Sequence, residues 1–461
     1  MIVIFNGGPS LMDDSDSYHI QMVKWIQQYG SVPGIANLHL RFGLNSAWFT
    51  SIGLFSFPIS GVNTYFELNG LLTFWFCYYV LEKIFTARHG IRSMTYKRQA
   101  IGLAIILSIS VLNWPIIRQT AGSANYDFVS TFLIIVLIVN LFDDSETPII
   151  EWLIWPVYLF TVRMINAPLI LLSLIFILPS AKKAGFKTAF TYTIIALFIG
   201  LPFIIRNLIL SGYAFFPIYQ IDLFSPDWKA DKSALIDISN YIKYFNRISP
   251  GFKPMAETRT LHFPAWVVEW YVYLFRFDKW MFSLSMFSYA FVLTRIRLLS
   301  KNQKWFLIIM IVQLIGWFFT APDPRFVQGS LLFSIYAAIR IFPFRSWAWG
   351  KYIKGLTVIL SSFVLCYGLL KTTGSRNYQN ILLPKPIVSP DFRTVVVGDV
   401  KLHIPAKVLD NWNPRCYDVD LPCLYRIDPR LEARGSDIKS GFRLKSSDVN
   451  VPANGEYKIT E

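Results

Sequence analysis

The chain has 461 residues, of which 54% are hydrophobic, 17% are aromatic and only 16% are charged, and its mean hydropathy is +0.41. A composition this apolar and this poor in charge excludes an ordinary soluble domain of the same length. The formal net charge is +15, but the basic residues lie mainly in short connections between apolar runs, which argues against a nucleic-acid partner. The composition therefore predicts an integral membrane protein with the lipid bilayer as a partner.

The first segments of the chain place acids ahead of a helix. MIVIFNGGPS is too short to span a bilayer and lacks the basic start of a signal peptide, so we expect the printed start to lie inside or after a first helix. Asp13, Asp14 and Asp16 follow, just before YHIQMVKWI, whose apolar spacing predicts a helix at the membrane surface. Asp16 and Ser17 are interpreted as N-cap residues of that helix.

Apolar runs separated by short polar breaks occupy most of the remaining chain, among them IGLAIILSISVLNWPII and FTYTIIALFIGLPFIIRNLIL. Several approach the roughly 20 residues that cross a bilayer as a helix. None shows the alternating pattern of barrel strands. The runs predict an all-α polytopic membrane protein with about ten or eleven transmembrane helices.

Basic residues predict the orientation of these helices. They gather in alternate connections, which are cytoplasmic by the positive-inside rule, at residues 83–98, 182–187, 295–304 and 340–354. The other connections then face outward. The sequence therefore predicts a transmembrane domain over residues 1–371 with extracytoplasmic loops at 12–46 and 211–264, and a small extracytoplasmic C-terminal region over residues 372–461.

The C-terminal region contains two closely spaced cysteines, Cys416 and Cys423, in NWNPRCYDVDLPCLY. They are interpreted as a disulfide if this region lies in an oxidising compartment. Zinc is the alternative, although no further His or Cys follows at ligand spacing. Upstream, TVVVGDVKLHIPAKV predicts a short hairpin. We expect loss of the disulfide to affect local order more than activity, because the closed loop is distant in sequence from the acids.

The acidic segment carries a resemblance to a known class. An acidic motif followed by Tyr18 in the first outer loop, then a surface helix and many spans with arginines on the outer face, resembles the GT-C class of membrane glycosyltransferases. That class uses polyprenyl-phosphate-linked sugars as donors. DSDSYHIQMVKWIQQYGSVPGIANLHLRFGLNSAWF is also similar to a family of uncharacterised bacterial multi-span proteins, and RQTAGSANYDF, RNLILSGYAFFP and APDPRF follow in the same order. The resemblance extends to about Gly329.

The resemblance implies the catalytic acids. It places the principal carboxylate at Asp14, four residues before Tyr18. Many members have a second acid directly after it, where this chain has Ser15, so Asp13 or Asp16 could assist. Asp127 matches a second acid at the outer end of a later helix. Such a carboxylate can take the proton of an acceptor hydroxyl as it attacks an anomeric carbon.

The donor's leaving group is an anionic lipid phosphate, which calls for cations rather than an acid. Arg206 and Arg325 are the first candidates to hold it. Arg163 and Arg206 lie in apolar stretches, where an unpaired charge is costly and a partner is expected. Snorkelling toward the interface is the alternative for outer arginines. The other residues predicted to bind substrate are Tyr18, His19, Asn37, His39, Arg41 and Arg163.

No cofactor is predicted. A divalent metal held by His19 and His39 beside Asp13 and Asp14 is an alternative, but isolated histidines more often stack or hydrogen-bond.

These features predict an inverting GT-C-type glycosyltransferase in the bacterial cytoplasmic (inner) membrane. It would transfer a sugar from a polyprenyl-phosphate donor to a hydroxyl of a glycan or lipid-linked acceptor on the extracytoplasmic side. Two alternatives stay open. One is an O-antigen or exopolysaccharide polymerase or ligase, for which the loop at 211–264 is long enough. The other is a non-enzymatic flippase or transporter of lipid-linked glycans, which would place paired charges at the bilayer midplane.

Overall fold

Helices make up most of the chain, and the paired strands lie in its C-terminal region. The computed structural model describes residues 6–59, 61–89, 94–142, 148–247, 255–343, 347–374, 384–387, 390–406, 415–424, 426–445 and 459–460.

Several short 3-10 or π-helical turns occur between the helices and strands. In chain order the α-helices are α1 (Ile20–Tyr29), α2 (Ala47–Phe55), α3 (Glu67–His89), α4 (Met94–Leu112), α5 (Trp114–Ala121), α6 (Asp127–Phe142), α7 (Glu151–Val162), α8 (Ile170–Ala184), α9 (Phe186–Ser211), α10 (Lys232–Phe245), α11 (Met255–Thr260), α12 (Ala265–Tyr273), α13 (Arg276–Thr294), α14 (Lys301–Thr320), α15 (Gln328–Ile341) and α16 (Trp347–Thr373). The turns are Ser15–His19, Ile35–Asn37, Leu40–Gly43, Met164–Leu169, Ile296–Leu298, Pro324–Val327 and Ile438–Ser440.

Within the described residues, three helices are long and apolar enough to cross a membrane: α9, α14 and the Gly355–Thr373 part of α16. Only 22% of the apolar window of α9 is buried inside the protein, so most of its apolar surface is available to lipid. The chain is a helical membrane protein.

The expected ten or eleven crossings exceed this number. α4 and α5 would form a fourth span together, but the chain bends by 76° between them. Pro115 lies in the first turn of α5, and because proline has no amide hydrogen and its ring clashes with the carbonyl four residues earlier, α4 cannot continue straight through it. The apolar helices Asp127–Phe142, Glu151–Val162 and Met164–Pro179 are each shorter than a full crossing.

The helices pack so that several of their ends meet. α6 packs against α7 and α15, and α7 packs against α8 and α9. The start of α6, the end of α7 and the connection from α14 to α15 come together through ion pairs. We call this the Asp127 end of the bundle. α14 begins at the opposite end, where Ser300 and Gln303 form a capping box that satisfies the free amides of its first turn.

The C-terminal region forms two small sheets. β1 (Phe392–Val397) and β2 (Val400–Pro405) pair antiparallel, with Val397 opposite Val400. Gly398 adopts a φ of +61° in the two-residue turn, a conformation that favours glycine. The predicted hairpin is therefore confirmed. β5 (Ile459–Thr460) adds to β1, while β3 (Leu431–Ala433) pairs with β4 (Phe442–Leu444).

This C-terminal region contacts the first loop directly. The amide of Phe442 donates to the carbonyl of Pro33 at 2.9 Å. Gly441 has a φ of +88°, and a Cβ added there would lie 2.2 Å from that same carbonyl oxygen. Only glycine fits this approach. Arg434 pairs with Asp227 of the segment after α9 at 2.8 Å, so both loops and the C-terminal region share one side of the bundle.

This shared side predicts a labelling pattern. Cysteines introduced at the exposed positions Gln28 and Ser436 should react with an impermeant maleimide from the same side of the membrane. A cysteine at exposed Asn302, at the far end of the 20-residue helix α14, should react only from the other side. The unsubstituted chain measures the background from its free cysteines. Reaction of positions 28 and 436 from opposite sides would contradict the packing.

Candidate active site

A buried carboxylate at the Asp127 end joins three segments of the chain. The Asp127 carboxylate pairs with the Arg163 guanidinium, and its second oxygen lies 3.6 Å from Nε of Arg325. Arg325 also pairs with Asp323 at 2.9 Å. One carboxylate thus connects the start of α6, the residue after α7 and the α14–α15 connection.

Local sequence positions Asp127 for this role. The side chain of Asn125 accepts a hydrogen bond from the amide of Asp127 at 2.9 Å and so caps the start of α6. Asn69, which is fully buried, donates to the carbonyls of Ser123 and Asn125 at 2.8 and 2.6 Å. These bonds fix the loop before α6. They hold the Asp127 carboxylate where the helix dipole favours negative charge.

Asp14 lies next to this cluster and pairs with Arg41. Its carboxylate is 3.2 Å from Nη1 of Arg41, and although Asp14 precedes the turn Ser15–His19, its side chain caps no amide. Burial raises the pKa of the Asp14 carboxyl, but His19 in its protonated form and, at every pH, the guanidiniums of Arg325, Arg41 and Arg163 outweigh it, so the pKa falls below its ordinary value. Asp14 is therefore ionised at neutral pH.

Aromatic and imidazole rings connect Asp14 to Asp127. The His19 ring lies 4.3 Å from Tyr18 and 5.7 Å from Tyr126, and Arg163 lies 5.3 Å from the Tyr126 ring. Burial lowers the pKa of His19 to about 3, which makes it neutral at pH 7, so the three arginines supply the positive charge around Asp14. Ser15 accepts a hydrogen bond from the amide of Ala124 at 3.1 Å, which joins the two acid-bearing segments.

Arg206, on α9, has neutral hydrogen-bond partners. It donates to Oδ1 of Asn45 at 2.7 Å and to Oγ of Ser31 at 3.3 Å, while its Nη2 is buried without a hydrogen-bond partner. Among the described residues, no carboxylate lies within ion-pairing distance of Arg206. The sequence led us to expect a partner for Arg206, because it lies in an apolar stretch, but the described residues supply no acidic one.

The loop at 39–46 ties these groups together. Arg41 reaches Asp14, Asn45 reaches Arg206, and the hydroxyl of Ser46 donates to the carbonyl of Val162 at 2.9 Å, next to Arg163. Three residues of one short loop thus contact Asp14, Arg206 on α9, and the end of α7 next to Arg163.

Other predicted site residues lie at the edge of this arrangement. Asn37 donates to the carbonyls of Trp228 and Phe442 at 2.9 and 3.3 Å, so it joins the loops to the C-terminal region. The ring of His39 packs 5.3 Å from Phe42, and burial lowers its pKa to about 3. Asp13 is 70% exposed and pairs with Arg415 at 2.9 Å.

The predicted capping by Asp16 and Ser17 is wrong. Both residues lie inside the turn Ser15–His19 rather than ahead of it, and Ser17 donates to the carbonyl of Asp14 at 3.2 Å. Asp16 is buried, and that burial raises the pKa of its carboxyl to about 7.

Sequence reasoning missed the contact between the disulfide loop and α1. Cys416 and Cys423 form a disulfide, and the loop they close lies against α1. Gln21 donates to the carbonyls at positions 417 and 419 at 3.1 and 2.9 Å. Lys24, 5% exposed, pairs with Asp418 at 3.0 Å. The helix predicted to lie at the membrane surface is therefore covered on its polar face. The polar residues Gln21 and Lys24 of α1 were the signal in the sequence that could have indicated this contact.

Within the ranges that the structure describes, no group of three or more His, Cys, Asp or Glu side chains is placed to hold a metal ion. The charged and polar side chains described at the site include carboxylates, guanidiniums and hydroxyls.

Comparison with known proteins gives one match. A family model described as a domain of unknown function (DUF8201) covers residues 1–332. The chain belongs to this family. The matched residues include Asp14, Asp127, Arg206 and Arg325, and they end before the disulfide loop. No curated protein and no solved structure matches the chain.

The contact between the disulfide loop and α1 changes one expectation. The loop is distant from the acids in sequence, but the amide of Tyr417 donates to the carbonyl of Asp16 at 2.8 Å. Replacing Cys416 and Cys423 together by serine should lower the stability of this region by roughly 2–3 kcal/mol, the value for closing so short a loop. Hydrogen–deuterium exchange at residues 15–29 should therefore become faster.

The matched control is Cys366→Ser, which removes a free, exposed cysteine and should leave this exchange unchanged. Unchanged protection of residues 15–29 in the double serine variant would show that the disulfide does not hold the acid-bearing segment.

Proposed function

We propose that this chain is an inverting glycosyltransferase that moves a sugar from a polyprenyl-phosphate donor to a hydroxyl acceptor. The observation that carries the proposal is that one loop, residues 39–46, contacts both Asp14, ionised and next to three arginines, and Arg206, which has no acidic partner among the described residues. This reaction requires two groups: a carboxylate that takes the proton of the acceptor hydroxyl, and a cation that binds the lipid phosphate.

Asp14 is the general base of the proposed reaction. The acceptor oxygen forms a bond to the anomeric carbon while the bond from that carbon to the phosphate oxygen breaks, and the acceptor proton passes to the Asp14 carboxylate. The lowered pKa of Asp14 keeps it deprotonated at neutral pH, although it also makes the carboxylate a weaker base. Proton transfer then occurs as the attacking hydroxyl becomes more acidic in the transition state.

Asp127 has a different role in this proposal. Because its carboxylate already pairs with Arg163 and Arg325, it fixes those two guanidiniums rather than accepting a proton. They in turn stabilise ionised Asp14 and the negative charge that grows on the leaving phosphate.

The balance of charge favours a donor with a single phosphate. Three carboxylates, Asp14, Asp127 and Asp323, pair with the guanidiniums of Arg41, Arg163 and Arg325. Arg206 adds one positive charge with neutral partners. Counted over these four arginines and three carboxylates, the surplus of one positive charge matches the single negative charge of a sugar phosphodiester. A diphosphate-linked glycan carries two, which makes the O-antigen polymerase or ligase alternative the less favoured one.

The surface of α9 supports delivery of the donor from the bilayer. Ile194, Phe198, Leu201 and Ile205 are exposed and lie three or four residues apart, so they form one face of the helix. The face ends at Ile205, and Arg206 follows it, turned about 100° around the helix. A polyprenyl chain lying along this face would bring its phosphate to the level of the Arg206 guanidinium without leaving the lipid.

The proposed orientation places the Asp127 end outside the bacterial cytoplasmic membrane, because the basic connections at 295–304 and 182–187 lie at the opposite ends of α14 and α9. We further propose that the shorter apolar helices also cross, in a GT-C-like bundle of about ten or eleven helices. The acceptor would be a glycan or a lipid-linked glycan reached from outside.

A flippase or transporter is the remaining alternative. It would place its paired charges near the bilayer midplane. Here Asp127 begins α6 and Arg163 follows α7, so the ion pairs lie at helix ends, which favours the glycosyltransferase.

Asp14→Asn tests the general base. The variant keeps the size of the side chain but cannot accept the proton, so turnover should fall about a hundredfold or more while the donor KM changes little. The measurement is sugar transfer by purified protein from polyprenyl-phosphate donors.

Asp13→Asn is the neighbouring comparison and should retain turnover, because Asp13 faces Arg415. Wild-type turnover in Asp14→Asn would exclude Asp14 as the general base. No consumption of any such donor by the wild type would favour the transporter.

Arg206→Ala tests the phosphate contact. Loss of a charge-assisted hydrogen bond of about 1.5–3 kcal/mol should raise the donor KM roughly tenfold to a hundredfold. Arg118→Ala is the matched control, since Arg118 is an exposed arginine on α5 that forms no ion pair with the residues described and should leave KM unchanged. An unaltered KM in Arg206→Ala, or an equal rise in both variants, would exclude Arg206 as the phosphate ligand.

A further inference from the structure

A second polar network lies inside the bundle, one helical turn below the ion cluster. Gln313 of α14 donates through Nε2 to Oδ1 of Asn166 at 2.7 Å, and Oγ of Ser330 donates to Oε1 of Gln313. Asn166 donates through Nδ2 to Oγ of Ser130 at 2.9 Å and to the carbonyl of Leu159 at 3.0 Å. We call Ser130, Asn166, Gln313 and Ser330 the amide network.

The amide network is fully enclosed. Asn166, Gln313 and Ser330 are 0% exposed, and Ser130 is 3% exposed. Gln313 is an amide in the middle of an apolar span, FLIIMIVQLIGWFF, where an unsatisfied polar group is costly. Both functional groups of its amide are satisfied here. Such a network requires the helices to take one relative position.

The network and the ion cluster join the same three segments. Ser130 lies three residues after Asp127 on α6, Asn166 lies three residues after Arg163, and Ser330 follows Arg325 into α15. Asp127 and Ser130 lie on the same side of α6 because they are three residues apart on one helix, whereas Arg163 is extended just ahead of the turn that carries Asn166 and Ser330 lies five residues after Arg325. Each segment therefore carries a charged residue at its end and a neutral polar residue below it.

We infer that the amide network is a positioning device for the two arginines of the ion cluster. A guanidinium on a long side chain can pair with a carboxylate in several rotamers, so ion pairs alone define the helix positions loosely. The short side chains of Ser130 and Ser330 and the fully bonded amides allow far fewer arrangements. They fix the rotation of α6 and α15 and the start of the turn Met164–Leu169, and thereby the directions in which Arg163 and Arg325 point.

As a statement about catalysis the inference rests on the proposed function, whereas the geometry can be tested without any substrate. Gln313→Leu keeps an apolar side chain of similar length and removes both bonds of the amide. Ser130→Ala is the milder variant and removes only the oxygen that accepts from Asn166. Ser334→Ala is the matched control, because it deletes a buried hydroxyl one turn further along α15 that bonds to Ser285 instead.

The measurement is the rate at which phenylglyoxal modifies Arg163 and Arg325 in purified protein, followed by peptide mass spectrometry. Gln313→Leu should raise these rates by up to about tenfold, the range that a lost buried hydrogen bond supports, and Ser130→Ala should raise them less. Ser334→Ala should match the wild type. If Gln313→Leu fails to fold, Ser130→Ala decides the question alone.

Wild-type rates in Gln313→Leu and Ser130→Ala would overturn the inference, and so would an equal rise in Ser334→Ala, which would indicate general loosening. Where the wild type transfers sugar, kcat should fall in Gln313→Leu with little change in donor KM, since Arg206 is bound to other partners. If the wild type transfers none, the proposed function fails while the labelling rates still decide the role of the network.

Discussion

The pairing of Asp127 with Arg163 and Arg325 is the interaction on which the rest of the Asp127 end depends. A single charge enclosed by protein is costly, and removing one partner of a buried ion pair commonly costs about 3–5 kcal/mol because the other charge is left uncompensated. With Asp127 in place, two positive charges can lie near Asp14 without an open repulsion between them. The arginines then favour the ionised form of the Asp14 carboxylate.

The same constraint explains why neutral groups surround Arg206. The paired carboxylates already balance the other guanidiniums, so an acid next to Arg206 would leave that side of the site without attraction for an anion. Asn45 and Ser31 hold the guanidinium in place by hydrogen bonds while leaving its charge available. In the proposed function, an arginine held by neutral acceptors is prepared for the anionic phosphate, because binding requires little loss of side-chain freedom.

Local patterns in the sequence predicted local structure well. The turn chemistry of VVVGDVKL specified the β1–β2 hairpin, because glycine and aspartate at the turn positions suffice to define it. Resemblance brought Asp14, Asp127 and Arg325 forward as site residues, but not their pairing. Which charges meet is set by helix packing over long distances along the chain. Arg163 was recognised as needing a partner, yet nothing local to it identified Asp127.

Two other features were hidden for a related reason. Apolar composition measures how apolar a run is, but not where the chain bends or how long each helix is, so it showed neither the bend before α5 nor the short length of α6 and α7. A helix at the membrane surface, as predicted for α1, would turn its polar face to water. The disulfide loop covers it instead, and a contact between residues 398 positions apart leaves no trace in either segment alone.

That contact also affects the order in which the site can be completed. Synthesis proceeds from the N-terminus, so α1 with Lys24 and Gln21 is made before the helices of the bundle that follow it. The carbonyls that bond these side chains belong to residues 417–419, which are made after those helices. Until that segment arrives, Lys24 must keep its hydration. The segment that carries Asp14 therefore acquires its final surroundings only after the helices of the bundle have been made, so a chain truncated before residue 417 contains every member of the ion cluster but not the support beneath Asp14.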